Sequence, residues 1–231
     1  MEESLTLAQE LSHPHSLAFV LVFAAILHRL CGEVQAVYAR ADAATRLAAE
    51  QGIAQWFAGG TILRGWAVAA QGQTAEGLAQ IHQGLVAWRA AWAEALRPFW
   101  LALLAEAHAT GGDPAGGLHG LAEALVLVET TGELWYEAEL YRLKGDLLLR
   151  QAVPDTRQAE ACLQQALAVA RRQQAKAWEL RTAISLSRLW QQQGRRDEAH
   201  ALLAPVYHWF TEGFDTADLQ DAKALLEELE K

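Results

Sequence analysis

The chain contains no asparagine, one methionine, five prolines and two cysteines, and each scarcity excludes something. Cys31 and Cys162 are far apart and form no Cys-x-x-Cys pattern, so neither a disulfide framework nor a zinc site is indicated. A reducing cytoplasm fits best, and the apolar neighbours Leu30 and Leu163 make both thiols expected small core residues. Val, Ile and Thr are sparse, which disfavours sheet. The longest apolar run, Leu17 to Leu27, is well short of the roughly 20 residues needed to cross a bilayer, and is expected to be a buried helix. The start Met1-Glu2-Glu3 is acidic where a secretory signal would be basic. Basic residues are outnumbered, giving a formal net charge of -9, so the clustered Lys and Arg that nucleic-acid binding requires are not expected. Blocks of like charge and Gly-Ser or Pro runs are also lacking, which excludes disorder.

What is present is alanine and leucine in a chain of 231 residues, 52% of them apolar. That is enough to bury a continuous core, in one extended domain or two small ones, and the composition predicts an all-α protein. Small residues recur at Ala43, Gly84, Ala124, Ala166 and Val206, with steps of 41, 40, 42 and 40. A second series lies seven residues upstream at Ala36, Gly77, Gly117, Ala159 and Ala199, with the same steps. A third, Ala24, Gly65, Ala105, Gly145 and Ser187, precedes the second by 12 residues except in the fourth repeat, where the gap is 14. There the glycine turn seen at Gly32, Gly72, Gly112 and Gly194 is replaced by the longer Gln151-Ala152-Val153-Pro154-Asp155.

Each repeat therefore reads as helix, turn, helix, with capping chemistry at Thr74, Asp113-Pro114 and Asp155-Thr156. The expected pairs are 16–31 with 33–50, 53–71 with 74–91, 95–110 with 114–130, 134–151 with 156–173, and 176–193 with 196–212. Residues 1–12 are expected to form a partial leading helix, with Leu5 to Leu11 as the tail of a second helix whose first half is missing. Residues 215–231 are expected to form a polar capping helix. Glycine inside a helix costs about 1 kcal/mol relative to Ala. Close approach of paired backbones is the reason inferred for Gly65, Gly77, Gly84, Gly117 and Gly145.

At these residues the sequence resembles the tetratricopeptide repeat (TPR) family, in which one small residue of the first helix meets two small residues seven apart on the second. Ile81, Leu121, Leu163 and Leu203 occupy the large apolar position between them. The resemblance implies a right-handed α-solenoid of about five antiparallel helix pairs, here one domain over 1–231 with a period of about 40 to 42. The family's usual period is about 34, and armadillo or HEAT arrays lie at about 40 to 47, but the twelve-then-seven spacing of small residues favours the TPR-like frame. Departures are Arg40 at the large apolar position of the first repeat, and Val206 and Pro205 in the fifth. The stretches Trp135 to Gly145 and Trp209 to Asp215 also resemble the C-terminal repeat region of large bacterial signalling proteins that join a cyclase or DNA-binding module, a regulatory ATPase and helical repeats. That likeness implies a regulatory, protein-binding tail.

Catalytic signatures are missing. There is no Gly-x-x-x-x-Gly-Lys-Ser/Thr, and Gly59-Gly60 and Gly116-Gly117 lack the lysine and the preceding strand of a phosphate cradle. There is no His-Glu-x-x-His and no Gly-x-Ser-x-Gly. His13-x-His15 supplies two ligands, too few for a metal, and His108 is read as a hydrogen-bonded packing residue. No cofactor is expected. Nine tryptophans are many, and Trp66, Trp88, Trp92, Trp100 and Trp135 are read as fillers of the wedges between stacked pairs. Trp66 directly follows Gly65, and in the resembling family that side faces the concave groove.

The same frame puts Arg142, Asp146, Arg150, Arg181 and Arg188 near that groove. Arg142, Asp146 and Arg150, spaced i, i+4, i+8, read equally as an exposed salt-bridge row and as a binding surface for an acidic segment or terminal carboxylate. The leading expectation is a non-catalytic, cytoplasmic module that recognises a protein or peptide through the groove of first helices. The alternatives are an all-α enzyme using paired carboxylates such as Glu106 and Asp146, and a structural module self-associating through its N-terminal edge and Leu17 to Leu27.

Overall fold

A computed structural model describes residues 2–10, 13–91 and 95–231. Every regular element among them is a helix: α1 (Glu2–Glu10), α2 (Pro14–Leu30), α3 (Val34–Glu50), α4 (Ala54–Ala70), α5 (Thr74–Ala90), α6 (Arg97–Thr110), α7 (Pro114–Thr131), α8 (Glu137–Leu149), α9 (Thr156–Arg172), α10 (Lys176–Gln192), α11 (Arg196–Tyr207) and α12 (Ala217–Leu229). None is long and apolar enough to cross a membrane. The chain divides into two compact units, residues 1–120 and 121–231, with the boundary inside α7.

The helix pairs appear at the expected places, and four boundary shifts have local causes. Leu96 sits in the left-handed region (φ 65°) and Pro98 at a first-turn position starts α6, so that helix cannot extend back to residue 95. The Tyr136 ring is fully buried edge-on against Trp178, 5.3 Å away, and the turn that seats it delays α8 to Glu137. At its other end α8 stops at Leu149, where the six-residue connection Arg150 to Asp155 begins. Pro205 removes a backbone donor from the last turn of α11, which ends at Tyr207 rather than 212. Of the leading segment, Leu5 and Ala8 of α1 are buried, while Leu11 lies outside the described residues, as does Trp92.

Small residues do let backbones approach. A Cβ on Gly65 would stand 2.7 Å from the Gly77 carbonyl oxygen, and one on Gly77 would stand 2.5 Å from the Gly65 oxygen. Gly84 backs onto Ala58 and Ile62, and Gly145 onto Ala159 and Leu163. In the fifth pair Ser187 takes the same place, its hydroxyl donating to the Ala199 carbonyl at 3.0 Å. Ile81, Leu121, Leu163 and Leu203 are fully buried between these contacts. Gly59 and Gly60 also have packing roles: Gly59 makes room for the Trp88 and Trp100 rings, and Gly60 lets α4 approach Ala41 and Thr45 of α3.

The first repeat is phased one residue later than its sequence suggested. Val37, Ala41 and Ala44 are fully buried, whereas Ala36, Arg40 and Ala43 are only partly so. Val37, Ala41 and Ala44 lie 40 residues before Gly77, Ile81 and Gly84, so Arg40 was never at the large apolar position. Ala25, fully buried, stands 40 residues before Gly65. Cys31 is a second correction: it is exposed at the C-cap of α2, beyond the last buried turn, while Cys162 is buried as expected. The Leu17 to Leu27 segment is buried on one side only, with Phe19 and Leu27 on its open face.

Candidate functional site

In the second unit the first helices of the pairs, α8 and α10, together with α12, bring Arg142, Asp146 and Arg181 into one set of ion pairs and place Arg188 in a separate pair. Arg142 sits on α8 with Glu139 one turn before it and Asp146 one turn after it. Its guanidinium grips Glu139 bidentately, Nε to Oε2 at 2.8 Å and Nη2 to Oε1 at 2.7 Å, and donates through Nη1 to Asp146 at 2.6 Å. Ser185 of α10 lies 3.4 Å from both Arg142 and Asp146. Arg181 donates through Nε to Asp218 of α12 at 2.6 Å and approaches Glu139 at 3.9 Å. Its guanidinium stacks 5.2 Å from the Trp178 ring centroid. Arg188 pairs with Asp221 of α12.

Burial divides these arginines into two kinds. Glu139 is 1% exposed and the side chains of Arg142 and Arg181 are both 15% exposed, so this part is internal to the face. Removing one ion from such a set would leave another charge buried and uncompensated. Burial raises the Asp146 carboxyl above its ordinary value, and Arg142 and Ser185 only partly offset that. Arg188 and Asp221, by contrast, are 51% and 41% exposed, and Arg150 lies exposed at the C-cap of α8. Arg142, Asp146 and Arg150 thus form a row in sequence, but only Arg142 and Asp146 are anchored, by Glu139 and Ser185, while Arg150 at the end of the row is exposed.

Trp66 lies in the first unit, where it is 9% exposed and its indole N–H donates to Glu106 Oε2 at 2.7 Å. Arg29 of α2 stacks over the Trp66 ring at 4.6 Å and pairs with the same Glu106 carboxylate. Three first helices, α2, α4 and α6, each contribute one member of this closed cluster. Glu106 is therefore engaged by Arg29 and Trp66 in unit one, and Asp146 by Arg142 in unit two.

The remaining candidates are accounted for by packing. Trp88 and Trp100 are buried with ring centroids 5.2 Å apart, filling the wedge as expected, whereas Trp135 is 36% exposed. His15 accepts the Trp56 indole N–H at 3.2 Å, and His13 caps α2 by accepting from the Ser16 amide. His108 bonds Asp113 at 2.9 Å, and the Gly116 amide first, then His108, holds that carboxyl below its ordinary value. Among the described residues no cluster of metal-ligating side chains occurs.

Sequence reasoning missed Glu139, Ser185, Asp218 and Asp221. The signal for the first was its place one turn before Arg142. For the last two it was that α12, one step beyond α10, stands where a sixth first helix would, so its acids reach the arginines of α10.

No family model and no curated protein matches the chain. Solved structures do. One is a crystal structure of a single-residue variant of a kinesin-light-chain-like protein of Podospora anserina with nearly identical TPR-like repeats, at 19% identity and a TM-score of 0.54, covering 84% of this chain and 94% of that one. Another structure of that protein aligns at 17% identity and a TM-score of 0.53, covering 95% of this chain and 99% of the other. The fold is TPR-like.

Proposed function

We propose that the chain is a non-catalytic scaffold that holds a protein or peptide segment against the first-helix face of its second unit. The TPR-like fold supports a protein-interaction role, because stacked helix pairs offer extended first-helix faces. The observation that carries the choice of face is the contrast between the internal pairs of Arg142 and Arg181 and the exposed pair of Arg188 with Asp221. An exposed ion pair is worth about 0 to 1 kcal/mol, so an incoming carboxylate can replace Asp221 on Arg188 at little cost. Arg142, Asp146 and Arg181 hold the face in shape, and Arg150 and Arg188 meet an acidic segment of the partner. A cytoplasmic, regulatory setting, as the tail of a larger signalling protein, is the context that suits such a module.

A fluorescein-labelled oligoglutamate peptide tests this. Binding to the full chain is expected to weaken with added salt and to fall about tenfold in Arg150→Ala/Arg188→Ala, with the melting temperature unchanged. Equal binding by the variant would remove this face. A second reading, self-association through the N-terminal edge, is favoured by the exposure of Leu7, Phe19 and Leu27. Sedimentation at several concentrations decides it: a monomer at every concentration excludes assembly.

A further inference from the structure

A separate cleft of about 680 Å³ lies at the opposite end of α10 from Arg188, between the α9–α10 turn and the end of α11. Arg171, Gln174, Lys176, Glu179 and Trp209 line it. Glu179 is 4% exposed and accepts from Arg171 Nε at 2.9 Å and from Lys176 Nζ at 2.6 Å. Burial alone would raise its carboxyl, but the two cations outweigh burial and hold it below its ordinary value. One carboxylate thus serves two cations. The set keeps one unit of positive charge, and Arg171, using only its Nε, leaves both terminal nitrogens for another acceptor. Lys176 also stands 5.6 Å from the Trp209 ring centroid, and Trp209 is 57% exposed just past the end of α11.

We propose that this cleft binds a partner peptide in which an aromatic side chain adjoins a carboxylate, the carboxylate on Arg171 and Lys176 and the ring on Trp209. One surplus positive charge matches a carboxylate better than a phosphate dianion. An exposed indole beside a cation leaves an apolar surface that a polar anion alone would not cover. The Gln174 backbone, at φ 54°, turns the chain sharply from α9 into α10 and so sets Arg171 and Lys176 on either side of Glu179. The choice of a peptide as ligand rests on the scaffold reading above, but the residues differ from those of the first-helix face.

The test is fluorescence polarisation with the full chain and the probe fluorescein-Gly-Ser-Phe-Asp-Gly-amide. Saturable binding is expected below about 1 mM, weakened about tenfold by Trp209→Ala, by Lys176→Gln, and by Phe to Ala or Asp to Asn in the peptide. Arg188→Ala should leave it within about twofold. The two peptide exchanges use the unmodified chain, so they decide the matter wherever a protein variant disturbs folding. No saturation, equal affinity for the Phe and Ala peptides, or displacement by inorganic phosphate as readily as by unlabelled peptide would each overturn the assignment. Loss of this binding with retained oligoglutamate binding would count against the cleft alone.

Discussion

The first-helix faces of the two units share a register and differ in chemistry. The residue after each small contact position is Ile26, Trp66 and Glu106 in the first unit, Asp146 and Arg188 in the second. In the first, Arg29, Trp66 and Glu106 close on one another, with the two charged side chains only 9% and 15% exposed. In the second, a run of ion pairs passes from Arg142 through Glu139 and Arg181 to Asp218, and the exposed Arg188 and Asp221 form a separate pair between the same two helices, α10 and α12. A repeated backbone therefore guarantees where a side chain stands, and the side chain decides whether that position is sealed or offered to a partner.

Substitutions can break or sharpen this contrast. The largest effect is expected from Arg29→Ala, which strands the Glu106 carboxylate and should cost about 3 to 5 kcal/mol in urea unfolding; a loss as small as that of a surface charge would mean the first face is not sealed. Glu179→Gln should cost about 1 to 2 kcal/mol at pH 7 by removing one acceptor from two cations. Because the fold depresses the Glu179 pKa below 4.5, its contribution is present above that value and fades as pH falls through the lower folded pKa. The advantage of the wild type over Glu179→Gln should therefore shrink progressively as pH falls below 4.5, and a difference that stays constant throughout acidification would exclude the linkage. Asp146 has the opposite sign: its folded pKa is raised above 3.8, so ionisation costs stability as pH rises through the folded value. Asp146→Asn is expected to be neutral or slightly stabilising at pH 7 and without effect at pH 3, with Arg142 still gripped by Glu139. The smallest change belongs to Arg188→Ala, under about 1 kcal/mol, measured by the same unfolding curves.

Most of the frame was legible in the residues. Gly65 with Gly77 and Gly145 with Ala159 stand out because a helix tolerates glycine poorly without a packing reason, and both pairs do bring backbones together. The first repeat misleads by its wealth of alanine: Ala36, Ala39, Ala41, Ala43 and Ala44 give several small positions, and only tertiary burial selects Val37, Ala41 and Ala44. The arginines of the second face were legible as a group, but their partners were not. Asp218 and Asp221 lie more than 30 residues from Arg181 and Arg188, and pairing depends on α12 occupying the next place in the stack. For Trp66 the position on the helix was legible, but its partners Arg29 and Glu106 on neighbouring helices were not.

Close backbone contact at small residues underlies both faces, and thermal unfolding of two adjacent variants tests it most directly. A side chain at Gly84 meets Ile62 and the Ala58 carbonyl, whereas Gln83 beside it is exposed. Gly84→Leu should lose about 1 to 3 kcal/mol while Gln83→Leu is nearly neutral; equal losses in the two would contradict the account.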